Sequence, residues 1–140
     1  MPRFIWRPGA LALGLTSLLL TACANPSVNS TPGISTLPPV PAHAAAPELD
    51  LTSASPPTAL ESCVVLGLSR LQIPSSYIQR ERYRDGALGV RLAQAGSDHS
   101  GPDIQLLPRD TCGRLLLYSN GMVLSPRWRA LLKHCAAALH

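Results

Sequence analysis

The sequence predicts a small α+β domain behind a proline-rich linker. Its order is a helix, about four antiparallel strands and a second helix, with both helices on one face of the sheet. Three observations predict it. Apolar residues recur at helical spacing near Leu60 and again near Leu132. Between them, Asp85-Gly86 splits an alternating stretch as a hairpin turn would. Ahead of them, residues 24–57 carry eight prolines, one glycine and no aromatic side chain. That composition buries too little apolar area to offset its ordering entropy, so it reads as an extended, disordered linker. The domain is then expected over residues 58–140.

The first helix is expected to open at Thr58. Thr58-Ala59-Leu60-Glu61 fits a capping box, with Glu61 three residues after the cap. Leu60, Cys63, Val64, Gly67, Leu68 and Leu71 share one helical face, and Pro74 ends the run. Gly67 on that face admits a close neighbour.

The hairpin is expected over residues 77–84 and 87–93. With Asp85-Gly86 as a two-residue turn, Arg84 pairs with Ala87, Tyr83 with Leu88, Arg82 with Gly89, Glu81 with Val90 and Arg80 with Arg91. Tyr83, Leu88, Val90 and Leu92 then face inward. Arg80, Arg82 and Arg91 share the outer surface. Glu81 falls inward in this register and counts against it.

Two more strands are expected near residues 103–107 and 113–118, with Asn120-Gly121 closing the last. The final helix has Ser125 as its N-cap and Pro126 in its first turn. Trp128, Leu131, Leu132, Cys135 and Leu139 form its apolar stripe.

The chain has four cysteines. Cys63 and Cys135 each lie on the apolar stripe of a helix, so two helices on one sheet face can bring them together. A Cys63–Cys135 bridge is the favoured pairing; a bridge from Cys112 to either one is the alternative. One thiol is left over in both cases.

The N-terminus carries the most specific signal. Arg3 and Arg7 give a positive leader, residues 9–20 are apolar, and small residues follow. The run is shorter than the roughly 20 residues a membrane span needs, so residues 1–22 read as a cleaved secretory signal. Leu20-Thr21-Ala22-Cys23 resembles the lipobox of bacterial lipoproteins. The resemblance implies that Cys23 receives a diacylglycerol, becomes the first mature residue and is acylated. With Ala24 after it, the resemblance implies an outer-membrane, periplasm-facing location. Two or three acyl chains suffice for a stable anchor.

Residues 58–140 hold ten of the twelve Lys and Arg against six acids, and the mature chain is +2. The arginine array of Arg80, Arg82 and Arg91 suits bidentate binding of carboxylate or phosphate. It is the candidate contact for an envelope protein or an anionic envelope polymer. Nucleic acid is not expected in that compartment. Catalytic candidates are weak. Asp98-His99-Ser100 has triad residue types but as sequence neighbours, which rarely form a triad. His134 and Cys135 point about 100° apart on a helix, so no metal site is expected there with His140. No catalytic residue, metal or cofactor is assigned. The expected function is a membrane-tethered lipoprotein presenting a non-catalytic binding or adaptor domain. The alternative is a cell-wall-directed enzyme or enzyme inhibitor.

Overall fold

The computed structural model describes residues 36–93 and 100–138. Its elements are β1 (Leu49–Ser53), α1 (Pro57–Arg70), β2 (Ile78–Arg82), β3 (Leu88–Ala93), β4 (Ser100–Arg109), β5 (Cys112–Tyr118) and α2 (Pro126–Ala137). The five strands form one antiparallel sheet in the order β1-β5-β4-β3-β2. The α+β class is as expected, with five strands rather than about four.

Alternation dictates which side of the sheet is buried by helices. Leu49 and Leu51 of β1, Val90 of β3, Ile104 and Leu106 of β4, and Leu115 and Leu117 of β5 stand opposite one another in the ladders. They meet Leu60, Val64 and Leu68 of α1 and Leu132 and Cys135 of α2 in one core. Each buried leucine is worth about 1.5–3 kcal/mol relative to exposure. Cys63 and Cys135 are bridged, with Cα atoms 5.7 Å apart. Gly67 lies under Leu131, whose methyl groups occupy the space a Cβ would need. The close approach expected at Gly67 is therefore used by α2.

The linker ends earlier than expected. Residues 36–47 form a strap across the second face of the sheet, and β1 follows within the stretch assigned to linker. Arg84 donates its backbone N–H to the Pro38 carbonyl at 2.9 Å and its Nε–H to the Leu37 carbonyl at 2.7 Å. Gln105 Nε2 donates to the Pro41 carbonyl at 2.9 Å, and Glu48 N–H to Leu117 at 2.8 Å. Prolines have no N–H to leave unsatisfied, so a proline-rich segment can lie on a sheet through its carbonyls alone. The boundary at Thr58 is thus corrected to before Leu49. The expectation for residues 24–35 lies outside the described residues.

Two local expectations also change. Pro56, not Thr58, caps α1, and no side-chain cap forms. The Glu61 carboxylate is taken by Arg80 instead. In α2, Ser125 is the N-cap as expected, without a side-chain hydrogen bond, and Leu139 lies outside the described residues. In the hairpin the loop has three residues, Arg84-Asp85-Gly86. Asp85 (φ 59°) and Gly86 (φ 76°) are both left-handed, and Tyr83 N–H donates to Ala87 O at 2.8 Å. Every pair moves by one: Arg82 faces Leu88, Glu81 faces Gly89, Arg80 faces Val90 and Gln79 faces Arg91. A one-residue slip exchanges the faces. Glu81 therefore leaves the core side. Tyr83 is buried on the strapped face, its ring packed over Gly89, where a Cβ would stand 2.8 Å from Tyr83 Cε2.

Closing a loop across 72 residues gives the bridge a chain-entropy contribution of roughly 4 kcal/mol. Cys63→Ser/Cys135→Ser is expected to lower Tm by about 15–30 °C, with the reduced wild type melting alongside it, by calorimetry with and without reductant. Gly67→Ala is expected to cost about 1–3 kcal/mol in urea denaturation, and Leu131→Ala in the same chain to recover part of that loss.

Candidate functional site

The charged side chains concentrate on the strapped face. Alternation places Arg91 on β3, Asp103 and Gln105 on β4 and Tyr118 on β5 on this side, beside Glu81 of β2. The strap then adds His43. Its Nε2 is 2.8 Å from Asp103 Oδ2, and its ring stacks on Tyr118 at 3.7 Å between centroids, 11° from parallel. Asp103 is 1 % exposed. Arg91 reaches Glu81 at 3.4 Å and Asp103 at 4.0 Å. Tyr83 donates its hydroxyl to Glu81. Burial, with the Glu81 carboxylate beside it, pushes the Tyr83 phenol well above its ordinary range.

This cluster joins the strap to the sheet. A carboxylate as buried as Asp103 is costly unless partnered; His43 hydrogen-bonds it, and the Arg91 guanidinium stands 4.0 Å away. Its other oxygen, Oδ1, has no hydrogen-bond partner among the described residues. The chemistry available here is cohesion: the acids and bases face each other, and the strap lies over them.

The expected arginine array is not assembled. Arg80 and Arg82 belong to the helix-facing side of β2, and Arg91 to the strapped side. Arg80 makes a bidentate pair with Glu61 of α1, both contacts at 2.8 Å. The hydrogen bonds from Arg80 hold the Glu61 carboxyl below its ordinary value of 4.5 in spite of burial. Arg91 is engaged with Glu81 and Asp103. Only Arg82 stays exposed without an ion pair among the described residues. The like-charge Arg80–Arg91 pair does not occur, because the three-residue loop separates the two faces.

The cysteines are resolved in part. Cys63–Cys135 forms as favoured, which removes the alternative pairings of Cys112 with either. Cys112 is buried at the start of β5 and is itself disulfide-bonded. The expected leftover thiol is thereby corrected: Cys112 is not free. Cys23, Asp98, His99 and His140 also lie outside the described residues, and Ser100 opens β4. His134 is exposed on α2. No group of three metal-ligating side chains occurs among the described residues.

Sequence reasoning missed His43, Asp103 and Tyr118 as a unit. His43 stands alone in an Ala-Pro segment 60 residues from Asp103, and no local pattern couples the two.

Two apolar grooves remain. One of about 540 Å³ lies at the end of the sheet where β3 finishes and β4 begins, walled by Ile73, Tyr77, Leu92, Pro102, Leu124 and Trp128. The other, about 480 Å³, runs between the helices beside Leu66, Gly67 and Leu131. No protein-family model matches the chain, and no curated protein or solved structure matches it.

Two outcomes test the cluster. Asp103→Asn is expected to speed amide exchange in residues 37–47 by about tenfold or more while β3 to β5 stay protected, since a neutral amide holds His43 less tightly. For Glu61, the folded state favours the ionised carboxyl, so the unfolded chain binds more protons below pH 4.5. Its contribution is present above that pH and is lost on acidification through the lower, folded value. Glu61→Gln is therefore expected to lower stability at neutral pH and to flatten the decline below pH 4.5, read from urea midpoints across pH.

Proposed function

We propose that this chain is a bacterial envelope lipoprotein: a lipid on Cys23 tethers a small, disulfide-stapled binding domain that has no catalytic role, facing the periplasm from the outer membrane. The observation that carries the reading is Leu20-Thr21-Ala22-Cys23 behind a basic and then apolar leader. Among the described residues no helix is long and apolar enough to cross a membrane. The Cys63–Cys135 bridge supports an oxidising compartment, where small domains use such bonds to offset a thin core.

The tether available to the domain is short. The strap is already bound to the sheet by Leu37, which leaves 13 residues between it and Cys23. Fully extended, they reach about 40 Å, so the domain works close to the bilayer.

The test is the chemistry at Cys23. Cys23→Ser is expected to release the protein from carbonate-washed membranes, and the mature N-terminal peptide of the wild type to carry the mass of a thioether-linked diacylglycerol. A sulfur in a thioether cannot also join a disulfide, so the lipid-anchor reading requires that the Cys112 disulfide does not use Cys23, the one other cysteine left in the sequence. A Cys23–Cys112 disulfide in peptide mapping, or equal membrane retention of the serine variant, would overturn the lipid-anchor reading.

A further inference from the structure

The two ends of the sheet differ in chemistry. The turns at Arg84–Gly86 and between β4 and β5 hold Asp85 and Asp110 at one end. The opposite end gathers the C-terminus of α1, the start of β2, the end of β3, the start of β4 and the loop from β5 into α2. There the 540 Å³ groove is lined by apolar and aromatic side chains. The loop at its rim carries Val123, 99 % exposed, and Met122, 40 % exposed. Trp128 and Tyr77 form the groove walls just behind them.

Two cations lie toward this end of the domain. Arg70 ends α1 and Arg127 lies in the first turn of α2, beside Trp128; both are exposed and neither has an ion pair among the described residues. Two described acids toward this end are already engaged. Glu48 pairs with Arg129 at 3.2 Å, and Asp103 is buried beneath His43. An exposed aliphatic tip, an aromatic collar and uncompensated cations match an interfacial layer whose headgroups are anionic and whose acyl chains lie just below.

We propose that this end of the domain docks on an anionic lipid surface, with Met122 and Val123 inserted at the acyl boundary, Trp128 at headgroup level, and Arg70 and Arg127 against the phosphates. The inference deepens and rests on the membrane-tethered reading, to which it adds a second contact: the short tether brings the domain to the bilayer, and this end settles on it. Charge complementarity selects an anionic partner, and the most exposed residue of the patch, the aliphatic Val123, selects a lipid surface over an acidic protein.

The experiment uses the mature chain from residue 23, produced without lipid, so that loss of the anchor and loss of docking are read separately. Trp128 is its single tryptophan. Vesicles of phosphatidylcholine containing roughly one-third phosphatidylglycerol are expected to shift its emission to the blue, and pure phosphatidylcholine to do so far less. Brominated acyl chains are expected to quench it. Val123→Asp is expected to abolish the shift and to weaken sedimentation with anionic vesicles by roughly tenfold or more. Arg70→Gln and Arg127→Gln are each expected to weaken it by roughly fivefold and to reduce its salt dependence. Arg82→Gln, at the other end, is expected to change it little.

Three results would overturn the proposal. One is no shift with anionic vesicles. Another is unchanged binding by Val123→Asp. The third is equal weakening by Arg82→Gln and Arg127→Gln, which would mean diffuse attraction of a basic protein. Failure here with a lipidated Cys23 would leave the anchor standing and the domain free above the bilayer.

Discussion

The Cys63–Cys135 bond is the constraint on which the helix layer depends. The domain has two helices, and both must cover the same side of a five-stranded sheet. Neither is long. Each presents a narrow apolar stripe, and together they bury the leucines of β1, β3, β4 and β5. Tying one helix to the other across 72 residues removes the loosest states of the unfolded chain. It also fixes the helix pair at the spacing that Gly67 permits, with Leu131 of α2 lying in the gap left by the missing side chain. The covalent bond and the glycine act on the same contact.

The second face of the sheet is solved by different means. It carries charges and a buried tyrosine, which no helix could cover cheaply. A proline-rich strap covers it instead. Carbonyls of Leu37, Pro38 and Pro41 accept hydrogen bonds from Arg84 and Gln105, and His43 meets Asp103. The segment that lowest-complexity composition marks as linker is thus half of the sheet's cover. The charge pairs on this face are cross-strand and internal, so the domain spends its arginines mostly on itself. Arg80 goes to Glu61, Arg91 to Glu81 and Asp103, and Arg114 to Asp50 at 2.7 Å.

What is left over after that pairing gives the domain its outward character. Two of the cations without an ion pair among the described residues, Arg70 and Arg127, lie at the end of α1 and the start of α2. A short tether from Cys23 and an amphiphilic end would act in the same direction. Both favour a domain held at the membrane surface rather than suspended far from it. The strap's attachment at Leu37 bears on the proposed tether, because it leaves 13 residues after Cys23 in place of the 34 of the expected linker.

The sequence by itself determined the elements whose signals are local. Periodicity placed α1 and α2, Gly67 and the two cysteines on buried stripes, and Ser125-Pro126 marked the start of α2. The proposed leader and the lipobox-like Leu20-Thr21-Ala22-Cys23 likewise rest on local pattern alone. Tertiary structure decided everything that depended on partners distant in sequence. Whether Asp85-Gly86 closed a two- or three-residue loop could not be read locally, since both loop lengths accept Asp and Gly in left-handed conformations; the core settled it, because only the longer loop removes Glu81 from the buried side and gives Arg80 to Glu61. Residues 49–53 alternate as a strand, but five residues form a strand only when a neighbour is waiting, and their partners on β5, from Gly113 to Leu117, lie far along the sequence. His43 and Asp103 likewise became a pair only when the strap crossed the sheet. Local chemistry chose the helices; the pairing of remote segments chose the faces, the register and which charges remain for solvent or a membrane to meet.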